Sequence, residues 1–219
     1  MDLTNSTSTT VSSARAAGSA AAPTASSSAP LNLALIVASD REGRFAPVIT
    51  DWLRSRLAER EDFAVTVVDL AEIDLPTSLS RNPSPAVRAE LAKVSPVLAA
   101  ADAFVVLTPE YNHSFPASLK NLMDWHFTEW QAKPVGFVSY GGISGGLRAV
   151  EQLRQVFAEL HAVTVRDTVS FHSAWGLFDD EGRHKDPAGA EGAAKVLLDQ
   201  LAWWALALKE AKSTRPYAA

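Results

Sequence analysis

The sequence contains no cysteine. Disulfides, thiolate nucleophiles, cysteine-ligated zinc and iron–sulfur clusters are therefore excluded, and the composition is compatible with a reducing, cytoplasmic setting. Charge of one sign is also missing: 20 Lys and Arg stand against 25 Asp and Glu, interleaved and without a basic run, for a formal net charge of -5. That pattern gives no support to a nucleic-acid groove or a polybasic membrane anchor, so any anion must be held by a few local residues. Long apolar runs are absent too. The longest are strand-sized and broken by Pro, Gly or charge, well short of the roughly 20 residues of a spanning helix. Neither nucleic acid nor membrane is expected as a partner. Metal-ligand spacing is lacking as well: the five histidines form no HExxH-type pair, and the acidic stretch Asp179 to Asp186 has neither the alternating ligands nor the closing glutamate of a calcium loop. That stretch reads as a solvated hairpin or loop.

What is present is enough apolar material for a single full core, 47% of 219 residues, and one domain is expected. Residues 1–30 stand apart, being mostly Ser, Thr and Ala punctuated by Pro23 and Pro30. They read as a disordered tail, with neither the apolar core of a secretory signal nor the arginines of a transit peptide. The domain is expected over 31–212, followed by a short tail at 213–219. Within it, strands are predicted at Leu33 to Ala38, Phe63 to Leu70, Ala103 to Thr108, Pro134 to Ser139 and, edge-like, Val163 to Phe171. Helices alternate with them. Val48, Ile49, Trp52, Leu53 and Leu57 share one helical face behind Pro47. After a Pro/Ser-rich loop from Thr77 to Pro85, Ser95 and Pro96 are expected to open a short helix as N-cap and first residue. Leu147, Val150, Leu153, Phe157 and Leu160 form another stripe, and Ala194, Leu197, Leu198, Leu201, Trp204 and Leu208 the last. The alternation implies an α/β fold: a flavodoxin-like, doubly wound five-stranded parallel sheet with helices on both faces.

In such a sheet ligands lie beyond the carboxyl ends of the strands, near the point where strand order reverses, so three loops matter. Ala38 to Arg44 leads from the first strand into a helix; Ser39 can donate a hydroxyl there, and Arg41 or Arg44 can fork onto a phosphate. A capped helix start with solvated charges is the plain alternative, favoured by Asp40 and Glu42. After the third strand, Pro109 and Pro116 fix two φ angles and remove two N–H donors, stiffening Glu110 to Phe115 into a ledge suited to a flat ligand. An ordinary strand-to-helix turn would also use Tyr111, Asn112 and Ser114, with Lys120 and Asp124 paired on the helix. The third loop, Ser139 to Gly146, frees the backbone for close approach to a ring. It is no phosphate fingerprint: Ile143 occupies the third glycine position, and no Lys-Ser/Thr follows Gly146. His113, beside the ledge, is expected to be a solvent-exposed turn residue.

The run Pro109 to Trp125, PEYNHSFPASLKNLMDW, resembles the P-E-Y-N-x-S-x-P-x-x-L-K-N-x-x-D-W signature of the NAD(P)H-dependent FMN reductases, a flavodoxin-like family that includes quinone and azo-dye reductases. ASDREGRFAPVITDWL and SYGGISGGLRAVEQLR resemble the family's phosphate loop and second glycine segment, with Ala38 where the family usually has glycine. The resemblance runs from Leu31 to about Phe171. It implies FMN as cofactor, NADPH or NADH as hydride donor, and a small acceptor such as free flavin, a quinone or an azo compound. By the same resemblance Ser39, Arg41 and Arg44 hold the FMN phosphate; Pro109, Glu110, Tyr111 and Asn112 line the flavin on one side; and Ser139, Tyr140, Gly141 and Gly142 border it on the other. No side chain is required as acid, base or nucleophile, because the cofactor carries the chemistry. The family's habit of pairing subunits implies a homodimer or a pair of dimers, which would also use the excess of tryptophan at Trp125, Trp130, Trp203 and Trp204. A non-catalytic electron carrier or binding module on the same fold is the alternative.

Overall fold

The computed structural model describes residues 29–218; the expected tail falls almost entirely on residues outside them. Uninterrupted apolar runs form β1 (Leu31–Val37), β3 (Ala103–Pro109) and β4 (Pro134–Gly141), buried almost throughout on both faces. β2 (Phe63–Asp69) and β5 (Val163–His172) carry more polar residues and are only partly buried. They form the two edges of one parallel sheet, in the order β2-β1-β3-β4-β5. The strand order reverses between β1 and β3.

Alternate residues of each central strand enter two cores. Leu33, Leu35 and Val37 of β1 pack with α1 (Ala46–Ala58) and α5 (Pro187–Thr214). Ala34, Ile36 and Ala38 pack on the opposite face, with α2 (Pro85–Ala100), α3 (Ala117–Asp124) and α4 (Leu147–Glu159). The register sets Thr108 beside Ser139 and Pro109 beside Tyr140, so β3 and β4 end together. Their exit loops are neighbours by construction.

Two expectations are corrected. The second helix does not begin at Ser95: it begins at Pro85, with the Ser84 hydroxyl accepting from the Val87 N–H at 3.3 Å, and runs through Pro96 to Ala100. The earlier Ser-Pro pair supplies the same N-cap and first-turn chemistry. An interior proline costs about 3 kcal/mol, offset here by burial of Val94 and Leu98 against the sheet. Leu147 and Trp204 lie outside the stripes assigned to them, 42% and 37% exposed, while Ala149 and Ala205 are buried. Small side chains at the contact let a helix approach the sheet closely. The segment around Asp179 to Asp186 is a hairpin, one of the two forms expected of it, closed by the antiparallel bridge between Phe178 and His184.

Candidate cofactor-binding site

β1 ends at Val37, but its pairing continues one step further, because the Ala38 N–H donates to the Leu107 carbonyl at 2.9 Å. Ser39 is thereby carried to the rim of the sheet fully buried, where its hydroxyl shares a 2.6 Å hydrogen bond with the Tyr111 phenol. One contact thus joins the loops after β1 and β3 across the switch point. Arg44 braces the first loop from below. Its guanidinium meets both oxygens of Asp69, at 2.5 and 2.6 Å, and donates to the Ser39 carbonyl at 2.5 Å. The Asp69 hydrogen bond, above all, holds the Arg44 cation more firmly than usual against the opposing effect of burial.

Arg41 is placed differently. It is exposed, lies 5.7 Å above the Tyr111 ring, and forms no ion pair among the described residues. Phe45, which precedes α1, gives that helix no side-chain cap; Pro47 has no N–H, and the Ala46 and Val48 N–H groups that flank it have no side-chain acceptor among the described residues. Asp40, which argued against a phosphate, faces a separate cavity lined by Leu70, Ile73 and Asn121. Asp40 is not among the residues lining the cavity that Ser39 and Arg41 share.

The ledge after β3 is a tight two-residue turn. Tyr111 and Ser114 exchange backbone hydrogen bonds of 2.8 and 3.0 Å, and the two residues between them, Asn112 and His113, take positive φ values of 49° and 74°. Glu110 directs its carboxylate toward α4, accepting from the Ser144 hydroxyl at 2.6 Å, the Arg148 N–H at 3.2 Å and the Arg148 guanidinium at 3.0 Å. Burial disfavours its charge, but these donors prevail and hold the carboxyl below its ordinary value. Opposite, Gly145 and Gly146 have positive φ, and a Cβ on either would collide with Ser170 or Ser139. These two glycines are needed by the loop itself. Gly142 differs, since nothing lies within 4 Å of where its Cβ would be; its carbonyl accepts from the Gly145 and Ser173 N–H groups, and the residue lines the cavity.

Ser39, Arg41, Arg44, Pro109, Glu110, Tyr111, Tyr140, Gly141 and Gly142 all line one cavity of about 320 Å³. Two expected residues are not in its wall. Ser139 is fully buried behind it, donating to the Gly145 carbonyl at 2.8 Å, and Asn112 is exposed on the outer side of its turn. Gly43, Phe45 and Trp175 complete the wall and went unrecognised in the sequence. Trp175 is three residues beyond β5, so extending the strand-end rule to the fifth strand would have found it. Burial pushes the Tyr140 phenol well above its ordinary range, with the Ser39 hydroxyl working against the shift; the ring stays neutral.

A guanidinium with no ion pair among the described residues, an uncapped helix start, a stiff ledge and a glycine segment suit a phosphorylated planar group, and the cavity falls within the size of small-molecule sites. Residues 31–176 match the family model described as NADPH-dependent FMN reductase. The chain belongs to this family. Among curated relatives, it is 36% identical over 129 residues to an NAD(P)H-dependent FMN reductase of Schizosaccharomyces pombe, a match covering 56% of this chain and 63% of that one. An FMN-dependent NADPH-azoreductase of Staphylococcus saprophyticus is 31% identical, over 76% of this chain and 91% of its own. Of solved structures, the flavoenzyme NAD(P)H:(acceptor) oxidoreductase FerB of Paracoccus denitrificans shares the fold, with a TM-score of 0.64 at 20% identity, covering 81% of this chain and 98% of its own. The expected family and fold class are both borne out.

Proposed function

We propose that the chain binds FMN in this cleft and transfers reducing equivalents from NAD(P)H to a small acceptor such as a quinone, an azo compound or free flavin. When bound, FMN supplies the capacity to accept and pass on a hydride. The protein supplies position. Arg41, with its charge uncommitted, and the N–H groups at the start of α1 hold the phosphate, while the buried Ser39 hydroxyl keeps Tyr111 in place. Arg44 has a different part from the one expected: its charge is paired with Asp69 and three of its five N–H groups go to Asp69 and Ser39, so it shapes the phosphate loop. Pro109, Tyr111 and the Gly141–Gly142 backbone bound the flavin, and Tyr140 closes the floor against water.

The observation that carries this reading is the convergence of Ser39, Arg41, Tyr111 and Gly142 on one cleft at the switch point. Its test is direct. Protein incubated with FMN and desalted is expected to stay yellow and to oxidise NADPH or NADH when menadione is added. Colourless protein with no turnover overturns the reading, and yellow protein without NAD(P)H oxidation marks an electron carrier instead.

A homodimer in a reducing cytoplasm completes the proposal. Trp203, Trp204, Val196 and Leu206 on the outer side of α5 are between 37% and 63% exposed, apolar area that a second copy would cover. Among the described residues no helix is long and apolar enough to cross a membrane.

A further inference from the structure

The ledge is held in a conformation that its own residues resist. Positive φ at a non-glycine residue is uncommon, and such strained positions persist only where the surroundings over-determine them. Asn112 tolerates the left-handed region through its short polar side chain; His113 has less reason to be there. The Tyr111–Ser114 backbone pair of the two-residue turn itself calls for positive φ at both central residues, neither of whose side chains makes a hydrogen bond among the described residues, and a further restraint is placed on the turn from outside.

It comes from α4. Gln152 reaches the turn with both ends of its amide: Oε1 accepts from the Ser114 hydroxyl at 2.5 Å, and Nε2 donates to the His113 carbonyl at 2.9 Å. The carbonyl can only accept, so the amide orientation is unambiguous. One helical turn earlier, Arg148 and the neighbouring Ser144 fasten Glu110. Residues four apart share one helical face, so α4 grips the ledge at both ends along a single line. Gln152 itself is absent from the cavity wall. It acts only through the turn.

We propose that Gln152 is a positioning residue that holds the Asn112–His113 turn in its left-handed form and so presets the flavin ledge before cofactor binds. The proposal rests on the FMN reading for its purpose, while its mechanical content stands without it. In Gln152→Leu, which keeps approximate volume and loses both bonds, the Ser114 amide is expected to exchange hydrogen markedly faster in cofactor-free protein. FMN affinity is expected to fall about tenfold, the scale of one or two hydrogen bonds, with altered visible circular dichroism of the bound flavin. Adding His113→Gly relieves strain, so this double variant is expected to regain thermal stability without regaining affinity or the parent spectrum. Unchanged exchange at Ser114 in Gln152→Leu overturns the proposal, as does recovery of FMN affinity in the double variant, which would make Gln152 a stabilising residue only. If the parent binds no FMN the functional reading fails, but the exchange measurement still decides whether Gln152 sets the turn.

Discussion

Arg41 and Arg44 are three positions apart, and their surroundings assign them opposite tasks. Arg44 is largely buried and bidentate with Asp69, and its loss leaves a carboxylate at 21% side-chain exposure without its partner. Arg44→Ala is therefore expected to lower unfolding free energy by about 2 kcal/mol, the range of a charged hydrogen bond, measured by urea denaturation without FMN. Arg41 pairs with no carboxylate among the described residues, so Arg41→Ala is expected to leave that denaturation curve unchanged. It should instead weaken FMN binding by about 1.5 to 3 kcal/mol in a fluorescence titration. Equal effects of the two substitutions on both measurements would contradict the assignment. In the sequence both arginines stood as phosphate ligands, Arg41 ahead of Arg44, because motif spacing does not record which charge is already paired.

α2 shows how an element is completed by residues distant in sequence. Its last four carbonyls have no acceptor role within the helix, yet each finds a donor: Val97 from the Ala101 N–H, Leu98 and Ala99 from the Lys133 ammonium, Ala100 from the Asn32 amide. Ser95, expected at a helix start, lies within α2 and bonds His126 Nε2 at 2.8 Å, while Nδ1 of that ring donates to the Leu122 carbonyl at 2.8 Å. Lys133 is only 7% exposed. Burial, and after it the charge of Lys212, lowers its pKa to about 8, with Asp102 and Glu129 opposing. The folded state thus releases this proton before the unfolded chain does. Below pH 8 both states are charged and the burial cost is present in full; between pH 8 and 10.5 the unfolded chain holds more protons, so stability rises with pH. The gain from this group is expected to be on the order of 3 kcal/mol. Lys133→Met should remove that rise from chemical denaturation curves recorded across the window.

At the level of the whole molecule, the sheet order is what turns three separate loops into one cleft. Chain order places the β1 and β3 exits about seventy residues apart, and the parallel crossover brings them within a hydrogen bond. The same architecture leaves the outer side of α5 uncovered, with Trp203 and Trp204 edge to face at 5.1 Å. If that surface is the dimer contact, Trp203→Ser with Trp204→Ser is expected to raise the dimer dissociation constant tenfold or more in sedimentation velocity, as loss of a central aromatic anchor does. A variant that remains as dimeric as the parent would place the contact elsewhere.

Strand and helix alternation, the apolar runs of β1, β3 and β4, and the proline-bounded ledge were legible from residue order, because each depends on local periodicity and turn chemistry. The family followed from the seventeen residues Pro109 to Trp125. Only the folded chain decided that Asp40 lines a different cavity, that Arg44 is paired with Asp69 and Ser139 with Gly145, that Trp175 joins the wall, and that α4 bonds to the ledge. These are pairings between donors and acceptors far apart in the chain, and a polar group's partner is chosen by proximity after packing, which no local pattern encodes.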